Sequence, residues 1–266
     1  KWYDSKDFKT LFEEVLKEEL GLTGDDVIKA FNRTLGAVDK GDFQCFNHND
    51  AEKKIEDWQI ISPVNGFGYG VKEVNKFIQT TYRKNFIELA HRKGKKAIAK
   101  PKGTDNMVYG DKVINLKNTQ WEDWQWINPS DQKQEALNYV ANGEIGVITG
   151  KFRGKFEKGK GDPQIEIAFS TQPGYSYVYW PDQFKDDSLK SYKFELAYAI
   201  TVHKAQGSGF KKVFFVLPSK GAILSRELLY TALTRQEKKI IILHQGEFRD
   251  FIRLANTDAS ATARRF

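Results

Sequence analysis

The chain has 266 residues, of which 40% are apolar and 29% are charged, and its formal net charge is +7. This composition is typical of a globular protein and allows one large domain or two small ones. No apolar run approaches the roughly 18 residues of a membrane-spanning helix, so we expect no membrane association. The positive charge favours a polyanionic partner without deciding the fold.

The ends of the chain and its single cysteine bear on where the protein acts. The first residue is lysine rather than methionine, with no charged-then-apolar leader, so we expect a cytoplasmic protein cut from a longer polypeptide. Cys45 is the only cysteine, which excludes an internal disulfide and fits a reducing compartment. Cys45 and His48 have metal-like spacing but no second pair of ligands, so an incidental thiol is the better interpretation than a zinc site.

The first 50 residues predict a helical lead-in to which we assign no chemistry. Apolar residues recur at helical spacing in two runs, with Ser5 as the expected N-cap of the first and Gly21 just past its end. The first run is Phe8, Leu11, Phe12, Val15 and Leu16, and the second, which stops at Gly36, is Val27, Ile28, Phe31 and Leu35.

A strand over 58–62 is followed by a glycine-bearing turn over 63–70 and by a helix with an apolar side. This order predicts the start of a βα unit. Gly66, Gly68 and Gly70 do not have the dinucleotide-binding spacing. Two interpretations stay open, a plain turn and a turn that touches a nucleic-acid backbone.

The pattern then changes to short strands, which we predict over 108–116, 143–149, 164–169 and 175–180. Short strands separated by Gly, Pro and Asp turns are typical of a small antiparallel barrel or sandwich. Because this group of short strands lies between two α/β segments, we interpret it as a module inserted over 105–189.

Three features beside or within this module have both a structural and a nucleic-acid interpretation. The basic run over 92–102 is either a solvated connector or a phosphate-attracting segment. The loop over 151–160 mixes cations with two aromatics and is either flexible and solvated or able to contact single strands. Trp121, Trp124 and Trp126 are either core residues or base-stacking platforms.

The carboxyl-terminal third carries the strongest functional pattern. A buried strand ends at Thr201 and runs into a polar turn, a typical ligand site at the rim of an α/β sheet. A helix after Ser225 ends close to Arg235, which is well placed to meet phosphate. Taken alone, His203 could be a structural histidine whose hydrogen bonds are satisfied within the protein. Arg235, taken alone, could be a cation that interacts with the dipole at a helix C-terminus. Continuous apolar runs at 213–217 and 240–243 predict parallel strands buried on both faces.

Residues 201–210 (TVHKAQGSGF) and 228–235 (LLYTALTR) resemble the fifth and sixth motifs of superfamily-one helicases of the RecD-like and UvrD-like branch. The resemblance extends over about 55–245 and implies an α/β fold: the second RecA-like motor domain, of the P-loop-NTPase type, with an inserted small antiparallel β-barrel of the Src-homology-three kind. The domains expected on this basis are a helical lead-in (1–50), the motor domain (51–104 and 190–256), the barrel (105–189) and a frayed or truncated tail (257–266).

The resemblance also implies roles for individual residues. It implies DNA-backbone contacts for Thr201, His203 and Lys204, nucleotide contacts for Gln206, Gly207 and Gly209, and an arginine finger for Arg235. The family usually has an acidic residue, which contacts the nucleotide sugar, where this chain has Gly209. That contact is the one part of the pattern that this chain departs from.

No phosphate-binding loop of the form G-x-x-x-x-G-K-[ST], the Walker A motif, occurs in the chain, and the nearest match, residues 146–152, has one spacer residue too few. We therefore expect ATP and Mg²⁺ to be held mainly by an N-terminal motor domain of the same polypeptide, upstream of this chain. The expected function is translocation on single-stranded DNA, although the pattern does not separate DNA from RNA.

Two other classes of function are consistent with parts of this pattern. The alternative is a non-enzymatic single-stranded nucleic-acid-binding module derived from a helicase, which Gly209 favours and Arg235 disfavours. A nuclease has little support, since Asp182, Asp186 and Asp187 have the setting of turn residues rather than of a metal-binding cluster.

Overall fold

A computed structural model describes residues 1–4, 7–46, 48–66, 69–92, 98–120, 126–127, 137–150, 165–179, 185–186, 191–217, 225–244 and 246–255 of the chain. Within these ranges the chain forms seven α-helices. They are α1 (Phe8–Leu20), α2 (Val27–Thr34), α3 (His48–Lys54), α4 (Val71–Tyr82), α5 (Lys84–His91), α6 (Arg226–Leu233) and α7 (Phe248–Ala255).

The same ranges contain seventeen β-strands, most of them short. They are β1 (Trp2–Asp4), β2 (Ala37–Lys40), β3 (Phe43–Phe46), β4 (Trp58–Ser62), β5 (Lys112–Asn115), β6 (Thr119–Gln120), β7 (Trp126–Ile127), β8 (Tyr139–Val140), β9 (Ile145–Ile148), β10 (Ile165–Phe169), β11 (Ser176–Tyr179), β12 (Lys185–Asp186), β13 (Ser191–Tyr192), β14 (Phe194–Leu196), β15 (Ala199–Thr201), β16 (Phe210–Leu217) and β17 (Gln236–His244).

The chain divides into two compact units that interleave along the sequence. The first, which we call the parallel-sheet unit, comprises Lys1–Thr23, Glu56–Phe77 and Tyr198–Phe266. The second, the antiparallel-sheet unit, comprises Gly24–Ile55 and Ile78–Ala197. The α/β class expected from the sequence is confirmed, while the domain bounds given above stay a prediction.

The parallel-sheet unit is built on five strands in the order β1-β17-β16-β4-β15, and every neighbouring pair is parallel. The predicted strands at 58–62, 213–217 and 240–243 are therefore confirmed. Residues 213–216 are fully buried and Leu217 is 1% exposed. A strand that is covered on both faces needs apolar side chains on both, which explains the continuous apolar run here. This sheet is the scaffold of the candidate site.

Helix α1 follows the predicted apolar spacing but begins at a different cap. The N-cap is Asp7, whose carboxylate accepts a hydrogen bond from the backbone N–H of Thr10, so the prediction of Ser5 as N-cap is wrong. Asp7 is two residues nearer to the helix than Ser5. Its side chain can therefore reach an N–H group of the first turn that would otherwise have no partner. Gly21 ends the helix at φ +64°, as expected of a left-handed C-cap.

The antiparallel-sheet unit carries a six-stranded sheet in the order β14-β5-β9-β10-β11-β7. Four of these strands, β5, β9, β10 and β11, fall within the segments predicted from the sequence, whereas closure of the sheet into a barrel stays a prediction. The lead-in is not wholly helical, since it also holds β1 and the antiparallel pair β2 and β3. Helical periodicity does not reveal strands of only three or four residues.

A cluster of three lysines around Glu19 joins α1 to the parallel sheet. The Glu19 side chain is 4% exposed and its carboxylate lies 2.6 Å from Nζ of Lys239, 3.3 Å from Nζ of Lys1 and 3.6 Å from Nζ of Lys212. Lys212 and Lys239 are neighbours on β16 and β17. Burial opposes ionisation of Glu19, but hydrogen bonds from Lys239 and Lys1 outweigh it and hold the pKa of Glu19 below its usual 4.5.

We expect Glu19→Gln to lower the free energy of unfolding at pH 7 by about 1–3 kcal/mol, because charged hydrogen bonds are lost. Since the folded-state pKa is depressed, this stabilisation is complete above the unfolded-state value and is lost as the pH falls through the folded-state value. Urea unfolding from pH 7 to pH 3 should therefore show the variant and the wild type converging in acid. Glu14→Gln, an exposed residue of the same helix, should show a negligible difference throughout. A difference that did not depend on pH would contradict the ionic role of Glu19.

Candidate functional site: two edges of a parallel sheet

The strand that leads into the site, β15, lies at the edge of the parallel sheet and is held there from both sides. On one side it pairs with β4, and on the other Asn75 of α4 makes two hydrogen bonds with the backbone of Ala199. Asn75 is 6% exposed, so its amide takes the place of a neighbouring strand. The sequence prediction missed this residue, although an amide four positions after Val71 on the apolar side of α4 was a usable signal.

After β15 the chain makes a compact turn that presents most of the candidate side chains. The hydroxyl oxygen of Thr201 accepts a hydrogen bond from the backbone N–H of Lys204, and the carbonyl of Thr201 accepts one from Ala205. Thr201 is half-buried, while His203 and Gln206 are exposed. Thr201 therefore fixes the turn, and the side chains of His203 and Gln206 in it face solvent.

Gly207 allows this turn to continue towards β16. Its φ is +92°, in the left-handed region that side-chain-bearing residues rarely adopt, and no atom would obstruct a side chain there. The requirement at this position is thus conformational rather than steric. The glycine turns the backbone so that residues 208 and 209 lead into the start of β16.

Arg235 is fixed by three hydrogen bonds at the junction of α6 and β17. Its Nε donates to the carbonyl of Thr231 at 3.1 Å, Nη1 to the carbonyl of Ser208 at 3.2 Å and Nη2 to the hydroxyl of Thr234 at 3.1 Å. The bond to Thr231 is that of a cation at a helix C-terminus. The bond to Ser208 joins α6 to the turn after β15. All three acceptors are neutral, and Arg235 forms no ion pair among the residues the structure describes.

The candidate residues form two groups at opposite edges of the parallel sheet. Thr201 ends β15 and pairs with Ser62 at the carboxyl edge, whereas Gly209 and Arg235 directly precede β16 and β17 at the amino edge. Along β16 the two edges are about six residues apart, or about 20 Å at the usual strand rise. The structure therefore brings Arg235 and Gly209 together and separates them from Thr201.

Glu237 is a neighbour of this amino-edge group that sequence analysis did not single out. A Cβ atom placed on Gly209 would lie 2.9 Å from Oε1 of Glu237 and 3.6 Å from its Cγ. The carboxylate thus occupies the space in front of the glycine. No local pattern reveals this contact, because the two residues are 28 positions apart and meet only through strand pairing.

The glycine-rich turn before α4 has its helix-terminal N–H groups already engaged. The backbone N–H groups of Val71 and Lys72 donate to the carbonyls of Val64 and Asn65, and the N–H of Tyr69 donates to the carboxylate of Glu73 at 2.6 Å. An anion would have to displace these contacts and meet a carboxylate. The geometry favours a plain turn over one that touches phosphates.

Gly146, in the segment nearest to a phosphate-binding loop, is a packing glycine inside strand β9. A Cβ there would lie 2.7 Å from the carbonyl oxygen of Ala168 on the adjacent strand. Across the described part of the chain, no group of three or more His, Cys, Asp and Glu residues is arranged to hold a metal ion. Nor does any helix in that part have the length and apolar character to cross a membrane.

Several candidate nucleic-acid contacts lie outside the described residues. These are the loop over 151–160, Trp121, Trp124, Gly68 and part of the basic run over 92–102, and the predicted tail over 257–266 also lies outside the described residues. Asp182 and Asp187 lie outside them as well.

Comparison with known proteins places the site within a recognised domain. Residues 196–243, from the end of β14 to the end of β17, match the UvrD-like helicase C-terminal domain. The chain is also 45% identical over 204 residues to the RecBCD enzyme subunit RecD of Buchnera aphidicola subsp. Schizaphis graminum, and 30% identical over 206 residues to an uncharacterized protein of Methanocaldococcus jannaschii. These matches cover 76% and 73% of this chain but only 27% and 14% of the relatives.

Among solved structures, Pif1 helicase from Candida albicans aligns with 97% of this chain and 56% of its own, at 15% identity and a TM-score of 0.39. Bacteroides Pif1 bound to single-stranded DNA aligns with 89% of this chain and 50% of its own, at 16% identity and a TM-score of 0.33.

Residues 196–243 therefore belong to the UvrD-like helicase C-terminal domain family. Over most of its length the chain is a homologue of RecD, so the family expected from the motifs at 201–210 and 228–235 is confirmed.

Proposed function

We propose that this chain is the C-terminal motor part of an ATP-dependent DNA helicase that translocates on single-stranded DNA. Its parallel-sheet unit acts as the second RecA-like domain. An N-terminal motor domain of the same polypeptide makes most of the contacts with ATP and holds the Mg²⁺. The inserted module over 105–189, as a Src-homology-three-like barrel, covers or guides the strand. ATP closes the cleft between the two motor domains, and closing and reopening alternates their grip on the DNA.

The observation that carries this proposal is the setting of Arg235. Three neutral oxygens hold its guanidinium in one place at the amino edge of the sheet, and it forms no ion pair with any described residue. A fixed and uncompensated positive charge suits a developing negative charge on a transferred phosphoryl group, because it needs no reorganisation during the reaction. We assign Arg235 as the arginine finger, with Gln206, Gly207 and Gly209 beside the nucleotide.

The opposite edge supplies the proposed contacts with DNA. The oxygen of Thr201 already accepts the N–H of Lys204, so its hydroxyl proton is left to donate to a phosphate oxygen. His203 is exposed and Lys204 is half-buried in the same turn. Short donors that meet the backbone rather than the bases grip DNA without reading its sequence, which is what translocation requires.

Hydrolysis of ATP by the complete polypeptide, measured with and without single-stranded DNA, tests the proposal. Stimulation by DNA is the expected result. If the wild type binds single strands but shows no stimulated hydrolysis, the motor is excluded, and the alternative of a non-enzymatic binding module derived from a helicase becomes the better account.

We expect Lys204→Ala to weaken binding of all single-stranded sequences about equally. Each lost phosphate contact should also reduce the slope of log affinity against log salt by about 0.7. Fluorescence anisotropy with oligonucleotides of different sequence, across a salt series, measures both quantities. Lys9→Ala, an exposed lysine of α1, is the matched control and should leave the slope unchanged. A loss confined to some sequences would contradict a contact with the DNA backbone.

A further inference from the structure

We propose that Glu237 binds the sugar of the nucleotide, supplying from β17 a carboxylate that residue 209, a glycine, does not provide. This inference rests on the proposed function, because it assigns a further contact to the same nucleotide. It concerns the amino edge of the parallel sheet, where β16 and β17 begin side by side.

The carboxylate of Glu237 lies directly in front of Gly209. Oε1 of Glu237 lies 2.9 Å from where a Cβ on Gly209 would be, closer than a carbon and an oxygen in ordinary contact. A side chain at 209 and the present position of Glu237 are therefore mutually exclusive. The side chain of Glu237 occupies the place that a side chain on the preceding turn would otherwise take.

Glu237 and Arg235 lie at the same part of the amino edge. Arg235 and Glu237 are two residues apart, and Nη1 of Arg235 donates to the carbonyl of Ser208, the residue before Gly209. A guanidinium and a carboxylate therefore lie at the same short stretch of backbone, and no ion pair joins them. A nucleoside triphosphate offers a partner to each group, because its phosphates attract a cation and the vicinal hydroxyls of its ribose can donate to an acceptor.

The carboxylate of Glu237 is accessible to a ligand. Glu237 is exposed, and no hydrogen bond or ion pair joins it to another described residue. An ionised carboxylate can accept hydrogen bonds from both ribose hydroxyls, and such charge-assisted bonds are among the stronger ones in proteins. The glycine at 209 leaves the approach to this carboxylate open.

The test compares hydrolysis of ATP and of 2′,3′-dideoxy-ATP by the complete polypeptide in the presence of single-stranded DNA. The wild type should prefer ATP in kcat/KM by about tenfold, the scale expected for a hydrogen bond to a charged group. Glu237→Gln should raise KM for ATP by about the same factor with kcat nearly unchanged, and bring the preference close to one. Glu14→Gln, an exposed carboxylate of α1, should retain the wild-type preference.

A relocated carboxylate separates a sugar contact from a general effect of charge. Gly209 is not among the glycines with positive φ, so glutamate is conformationally acceptable there once Glu237 is shortened. Gly209→Glu combined with Glu237→Ala should restore the preference for ATP, and restoration supports the proposal. If the wild type hydrolyses ATP but has no preference, or if Glu237→Gln keeps the preference, this proposal alone is overturned. If the wild type hydrolyses neither nucleotide, the proposed function fails, and this proposal with it.

Discussion

Replacing Arg235 by alanine is expected to lower single-strand-stimulated ATP hydrolysis about a hundredfold or more, with binding of single strands retained. The guanidinium is held by Ser208, Thr231 and Thr234, so its position is set before the nucleotide arrives. Removing a preorganised charge raises the barrier of the chemical step, and kcat should therefore fall far more than affinity for DNA. Steady-state hydrolysis and fluorescence anisotropy on the same preparation measure the two effects.

The competing explanation is that Arg235 is only a helix-capping cation. Loss of its bond to the carbonyl of Thr231 would then lower the melting temperature of Arg235→Ala and affect hydrolysis through folding. Arg235→Lys separates the two, because lysine keeps the charge but lacks the planar fork that reaches three acceptors. Arg226→Ala, at the exposed start of the same helix, is the matched control and should hydrolyse ATP at the wild-type rate. A stable Arg235→Ala variant with normal kcat would refute the arginine finger.

The parallel strands and the two motifs were predictable because their signals are local. The runs at 213–217 and 240–243 are apolar on both faces, and the sequence around Thr201 and Arg235 carries its own turn and helix signals. The order of strands was not predictable in this way, because β1 comes first in the chain yet pairs with β17, which is near its end.

What sequence reasoning missed depends on contacts between distant segments. Asn75 holds β15 from 124 positions away, and Glu237 reaches Gly209 only because β16 and β17 lie side by side. The absence of an acidic residue at 209 is visible in the sequence, whereas the carboxylate that occupies the adjacent space is visible only in the fold. The motifs therefore predict which segments form the site, whereas the contacts between those segments are known only from the pairing of strands in the sheet.

Replacing Asp111 by alanine is expected to lower the free energy of unfolding by about 3–5 kcal/mol, because it leaves a buried arginine without its counter-ion. Asp111 and Arg83 are both fully buried, with Oδ1 of Asp111 3.0 Å from Nε of Arg83. The other carboxylate oxygen accepts hydrogen bonds from Gln79 and from the backbone N–H of Val108. All of these residues belong to the antiparallel-sheet unit.

Hydrogen exchange locates the effect within the protein. Peptides from β5 and β9 should lose protection in Asp111→Ala, whereas peptides from β16 and β17 should lose less, because they belong to the other compact unit. Asp42→Ala, an exposed aspartate of the same unit, should change the stability by less than about 0.5 kcal/mol. Equal costs for the two substitutions would contradict the role assigned to the buried pair.

The buried pair also predicts strong coupling between its members. Arg83 donates to the side chain of Asn32 and, at 2.6 Å, to the carbonyl of Tyr109, and its guanidinium lies 4.4 Å from the ring centre of Phe86. Arg83→Met together with Asp111→Leu removes both charges while keeping apolar volume, so it should cost less than the sum of the single changes. Additive costs would mean that the two charges are stabilised independently by their neighbours, and the ion pair would then not be what holds this unit together.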